Sequence, residues 1–225
     1  MGAKLWLAFV VEALAFLALL FGVAGTIRWP AAWVYLVLFF GGALWMTVVL
    51  ARNDPALLAE RLKSPIQKGQ PLWDKIFMLA TTVAWIGWFV LMSLDAGRFR
   101  WSDMPLWLQG AGGVLMLVSF RIMLRVVREN TYLAAVVRIQ TERGHKVIST
   151  GPYAVVRHPL YASMLIFLPS NALLLGSWYG LAASVVLMAG IVFRTAMEDR
   201  ELQRNLPGYK AYTVQVRYRL VPLVW

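Results

Sequence analysis

Residues 29–51 read WPAAWVYLVLFFGGALWMTVVLA, an uncharged run of 23. A hydrocarbon core of roughly 30 Å takes about 20 residues of helix to cross, so this run is long enough to span a bilayer. Inside lipid only a helix or a closed barrel satisfies its own peptide groups, and a continuous apolar run fits the helix. Five further stretches follow the same logic. Leu5–Ile27 is apolar apart from Glu12, and Ile76–Leu94 and Met104–Phe120 are uncharged. Leu160–Leu175 and Trp178–Phe193 are uncharged but shorter, and the second is expected to continue as helix into the charged tail. The first run follows Lys4 and is too long for a secretory leader, so it reads as a retained span. The expectation is an all-α integral membrane protein of about six transmembrane helices, the last two a short hairpin.

Composition agrees. The 225 residues are 60% hydrophobic and 15% charged, against about half and a quarter in soluble domains. A soluble enzyme and a disordered chain are both excluded. The formal charge of +11 needs no nucleic acid to account for it. With six spans and the N-terminus inside, nineteen of the 22 Lys and Arg fall on inner segments. Only Arg28, Arg98 and Arg100 lie outside. That asymmetry is the positive-inside pattern and puts both termini in the cytoplasm.

There is no cysteine, and the histidines are His145 and His158 alone. A thiol nucleophile, a Cys-ligated metal and a His-rich metal site are excluded, and no metal is expected. Trp29, Trp33, Trp73, Trp101, Trp107, Trp178 and Trp225 fall near span ends, as an interfacial belt does. Gly110, Gly112 and Gly113 follow no strand, so they read as a close helix contact rather than a phosphate loop. Glu12, about two turns into the first span, reads as packed on a neighbouring basic residue or snorkelling. Arg121, Arg125 and Arg128 form a basic stripe suited to anionic headgroups.

Chemistry concentrates after Arg121. Pro152 and Pro159 each remove a backbone donor and turn the preceding residue away from helix, so the chain is irregular as it enters the fifth span. Irregular backbone at that depth lines a cavity or is buried in protein, and it offers free N–H and carbonyl groups to a ligand. An interfacial anchor of Arg, His and Tyr is the plainer reading of the same residues. Directly after the sixth span, three of the 11 acidic residues (Glu198, Asp199 and Glu201) crowd a basic exit. Arg194 and Glu198 are spaced to share a helix face.

Two motifs stand together there: Val147–Tyr153 (VISTGPY) with Arg157–Tyr161 (RHPLY), and later Arg194, Glu198-Asp199, Leu202, Pro207-Gly208-Tyr209, Tyr212 and Arg219–Pro222. In order and spacing, over roughly residues 130–222, they resemble the isoprenylcysteine carboxyl methyltransferase family. The wider superfamily includes phospholipid N-methyltransferases and some membrane reductases. The resemblance implies S-adenosylmethionine as methyl donor, bound at the cytoplasmic face without a Rossmann fold. It implies a donor site of Gln140, His145, Lys146, Val147, Ile148, Tyr153, His158, Pro159, Leu160, Tyr161 and Glu198. Arg194 would face the methyl acceptor, and Arg194, Glu198 and His158 would be the catalytic set. One departure is that the family's second glutamate is Asp199 here, with a shorter arm.

On this reading the chain is a single membrane domain, with four N-terminal spans in 1–127 and a methyltransferase core with a cytoplasmic tail in 128–225. The expected partners are a lipophilic or prenylated acceptor and membrane lipids. The expected reaction is O-methylation of an isoprenylcysteine-like carboxylate, which needs a cation to hold it but no base. A phospholipid amine would need His158 or Glu198 as base, and a small thiol is a further option. An NADPH-dependent reductase of a sterol- or enone-like lipid is the rival class. Leu160 stands where those relatives favour Asn, which argues against it.

Overall fold

The computed structural model describes residues 3–225, with side chains from Leu5 onward; Lys4, counted above among the inner charges, lies outside the described side chains. Every regular element is helical. Five helices have the length and apolarity of spans: α1 (Ala3–Ala24), α2 (Pro30–Asn53), α4 (Leu72–Met92), α5 (Leu106–Glu129) and α7 (Trp178–Asn205). The sixth apolar helix, α6 (Pro159–Leu175), is shorter. Two short helices, α3 (Pro55–Arg61) and α8 (Tyr209–Gln215), lie outside the spans.

The helices end where local chemistry ends them. Pro30, Pro55 and Pro159 each open a helix at a position that needs no N–H donor. Asp54 caps α3 by accepting from Leu57 N at 2.9 Å. Gly176 closes α6 in the left-handed region at φ 80°, and Ser177 caps α7 through Gly180 N. α6 and α7 thus form the expected hairpin, but its arms are unequal. α7 runs unbroken for 28 residues into the charged tail, so only α6 is short.

α5 and α6 are the most closely joined pair. A Cβ on Gly112 would stand 2.5 Å from Leu174 N and 2.9 Å from Ser170 O, so the two backbones touch there. The glycine reading therefore holds at Gly112; a Cβ on Gly110 would meet nothing. The core between α1, α2, α4, α5 and α6 is aromatic, with Tyr35, Phe39, Phe89, Phe120 and Phe167 in edge and stacked contacts. At one end of the bundle α4 passes into a π-helical turn, Ser93–Phe99. Asp95 within it accepts from Ser102 Oγ at 2.6 Å and Ser177 Oγ at 2.5 Å, binding that turn to the start of α7.

Two sequence readings are corrected. Trp29 is buried and packs against the backbone at Gly97, so it belongs to the core and not to the belt. Glu12 is exposed on α1 and makes no ion pair among the described residues, which removes the packed alternative and leaves snorkelling. Arg121, Arg125 and Arg128 are all exposed, as a headgroup stripe requires.

Candidate active site at the basic end of the bundle

At the other end, the C-termini of α2, α5 and α7 meet the N-termini of α4 and α6. Between α5 and α6 the chain from Asn130 to His158 is irregular, broken only by short 3-10 turns. This segment folds over the bundle end and encloses a cavity of about 90 Å³. Pockets that take drug-sized ligands run to roughly 300–1,000 Å³, so the cavity is small beside them.

Ten of the eleven residues expected at the donor site line this cavity: His145, Lys146, Val147, Ile148, Tyr153, His158, Pro159, Leu160, Tyr161 and Glu198. Gln140 does not. It is fully buried beneath the cover, donates to Tyr132 O at 2.6 Å and accepts from Arg143 at 2.6 Å, so it shapes the segment from behind. The N–H groups of Lys146, Val147 and Ile148 make no hydrogen bond within the described residues, unlike His145, whose N–H reaches Gln140 O. Unsatisfied backbone on a cavity wall is a ready binding edge.

The side chains give the cavity its character. Glu198 on α7 accepts a 2.6 Å hydrogen bond from Tyr161 on α6, and among the described residues no Lys, Arg or His lies within 4.0 Å of its carboxylate. Tyr132, Tyr153, Tyr209 and Tyr212 join Tyr161 in the lining. Burial pushes the Tyr153 phenol up, and burial followed by Asp199 does the same to Tyr209, so both stay neutral. His145 stacks on Tyr132 at 4.6 Å. Burial, and then Arg143 and Arg138, lower its pKa to about 4.

Asp199, one residue on, is fully buried behind the lining. Its oxygens accept from Arg157 Nε at 2.8 Å, Arg219 Nε at 3.0 Å, Tyr209 Oη at 3.0 Å and Gln203 Nε2 at 2.8 Å. The His158 Nε2 lies 3.2 Å from the same carboxylate. The shortened arm is thus the hub that fastens the segment at His158, α8 and the tail to α7.

Arg194 lies outside the cavity lining. Its Nη2 is 3.2 Å from Asp74 on α4 and donates to Ala135 O at 2.9 Å, and its guanidinium covers the outer faces of Phe77 and Tyr161. Arg194 and Glu198 therefore share a helix face, as expected, but they meet across the Tyr161 side chain and not as an ion pair. The motif reading missed Tyr132 in the lining. It quoted Tyr209 and Tyr212 without assigning them a role, and Pro207-Gly208, with Gly208 at φ 84°, is the turn that sends both inward.

S-adenosylmethionine carries a sulfonium, an ammonium, a carboxylate and a ribose diol. A carboxylate without an ion pair among the described residues, a wall of phenols and a free backbone edge suit that set of groups. A search of curated proteins gives no match to the chain. Residues 111–204, from mid-α5 to the end of α7, match the model of the isoprenylcysteine carboxyl methyltransferase (ICMT) family, and most of the cavity wall falls within them. Over those residues the chain is similar to the isoprenylcysteine carboxyl methyltransferase family.

Proposed function

We propose that this protein transfers a methyl group from S-adenosylmethionine to the carboxylate of a lipophilic, isoprenylcysteine-like acceptor at the cytoplasmic face of the membrane. The observation that carries the reading is Glu198. It is a carboxylate in an aromatic cavity with no Lys, Arg or His within 4.0 Å of it among the described residues, a site suited to a cationic ligand. The free edge at Lys146–Ile148 would hold the donor's polar groups, and Tyr153 and Tyr161 would flank its positive charge. The donor supplies an activated methyl group, so the protein's task is placement.

The cover segment excludes water from a carboxylate nucleophile, which strengthens every contact that orients it. Arg194, held by Asp74, sets the angle of Tyr161 and through it Glu198. The basic stripe and the 19-to-3 distribution of basic residues support the cytoplasmic placement.

A second reading rests on the same carboxylate. If the acceptor is a lipid amine, Glu198 is the base within reach, since His158 is committed to Asp199. The test is calorimetric titration of the detergent-purified protein with S-adenosylhomocysteine and, separately, NADPH. Saturable binding of the first alone is expected, and binding of NADPH alone would make the protein a reductase. With turnover in hand, carboxylate methylation shows a pH–rate profile without a basic limb between pH 6 and 9, whereas amine methylation rises across it.

A further inference from the structure

The donor reading leaves open which residue takes a carboxylate in this cavity, because the cations around it are already engaged. Arg138 is paired with Glu60 at 2.8 Å and Glu142 at 2.7 Å, Arg157 and Arg219 with Asp199, and Arg194 with Asp74. Arg143 spends its guanidinium on Gln140, Thr131 and the ring of Tyr132. Lys146 is unpaired but exposed. Arg61 differs from all of these.

Arg61 ends α3, whose position is built from the sequence up. Asp54 and Pro55 start the helix, and Leu57 seats it against Leu50, Leu124 and Val127. Its last two residues then clasp the cover: Glu60 takes Arg138, and Arg61 Nη1 donates to Leu133 O at 3.1 Å. Leu133 is part of the cavity wall, and Arg61 stands directly behind it, outside the lining itself. The half-buried guanidinium comes within electrostatic reach of the Tyr153 and Tyr161 phenols, both cavity residues. It has no carboxylate within 4.0 Å among the described residues, and of its five N–H groups one is spent on Leu133. Burial lowers its pKa, with the two phenols pulling the other way.

We propose that Arg61, in the half of the chain ahead of the family match, binds the carboxylate of a ligand in this cavity. The proposal deepens the methyltransferase reading and rests on it. Two ligands of that reading carry a carboxylate, the donor and the acceptor. Two probe pairs separate them: S-adenosylhomocysteine against its analogue lacking the carboxylate, and N-acetyl-S-farnesylcysteine against its carboxamide.

Each pair is titrated by calorimetry into wild type, Arg61→Gln, Arg61→Lys and Arg125→Gln, the acceptor pair with S-adenosylhomocysteine present. Gln keeps a donor for Leu133 O, and a thermal melt of each variant confirms folding. In one pair the wild type prefers the acid by about 10- to 100-fold, the worth of charge-assisted hydrogen bonds. Arg61→Gln removes that preference, Arg61→Lys keeps part of it and Arg125→Gln all of it. Loss in the acceptor pair makes Arg61 the acceptor's anchor, and loss in the donor pair makes it the donor's. Preferences unchanged by Arg61→Gln in both pairs overturn the proposal while leaving the methyltransferase reading intact. Failure of S-adenosylhomocysteine to bind wild type removes that reading and the proposal with it.

Discussion

Glu198 and Asp199 are consecutive residues with opposite duties, and substitution separates them. Asp199 neutralises two arginines and receives Tyr209 and Gln203 with no exposure to solvent. Asp199→Ala strands the buried Arg157 guanidinium, a class of change that costs about 3–5 kcal/mol. A large drop in the thermal midpoint in detergent is expected. Glu198→Gln loses one charge in a cavity and is expected to melt within about 1 kcal/mol of wild type while binding S-adenosylhomocysteine at least tenfold more weakly. Equal melting losses for the two would refute the division of labour.

His145 gives a pH signature. Its folded pKa of about 4 lies below the unfolded value of about 6.5, so the neutral ring is what the fold favours. Its stability contribution is complete above the unfolded value and is lost as pH falls through the window from 6.5 to 4. Melting as a function of pH should show a decline of about 2 kcal/mol across that window, reduced in His145→Asn. At this scale the sequence was most informative where a motif dictated geometry: the prolines at 152 and 159 and the histidine-proline step put His158 to Tyr161 on the wall. It could not show that Arg194 finds Asp74, because that pairing joins residues 120 positions apart and depends on how α4 leans on α7.

Among the elements, the five long helices and α6 were readable as apolar runs between charges and prolines; most ends moved by only a few residues, but α5 runs nine residues past Phe120 to Glu129 and α7 twelve past Phe193 to Asn205. α3 was not foreseen, since Pro55–Arg61 is too short for a periodic signal and owes its place to Leu57 docking on α2 and α5. The π-helical turn is likewise absent from local propensity; Asp95 and its two serines hold it from distant parts of the chain. The α5–α6 contact makes a sharper claim. A Cβ at Gly112 falls 2.5 Å from the Leu174 nitrogen, so Gly112→Leu must push the helices apart. A loss of about 1–3 kcal/mol or more is expected, read as a lower melting temperature. Gly110→Ala, where a Cβ meets nothing, should be near neutral.

For the whole molecule, the absence of cysteine makes topology directly measurable. Single cysteines at Ser102 and at Thr213 stand at opposite ends of the bundle. In sealed right-side-out vesicles a membrane-impermeant maleimide should label the first and spare the second, reaching Thr213→Cys only after the vesicles are opened. The reverse pattern would invert the orientation inferred from charge. Charge asymmetry can predict a side, but it cannot predict how the front and rear halves of the chain engage. That engagement depends on single contacts: Glu60 with Arg138, Arg61 with Leu133, and Asp74 with Arg194 and with the N–H of Val137.

Those contacts bear on how the protein can be recombined and how it has been free to diverge. A hybrid that grafted residues 111–225 onto the front helices of another membrane protein would inherit the pocket's floor but not the fingers that hold down its cover. Such a hybrid would be expected to fold, since α5, α6 and α7 pack on one another, and yet to grip its ligands loosely. Restoring function would then require moving a glutamate, an arginine and an aspartate from the front half together, as one transplanted unit.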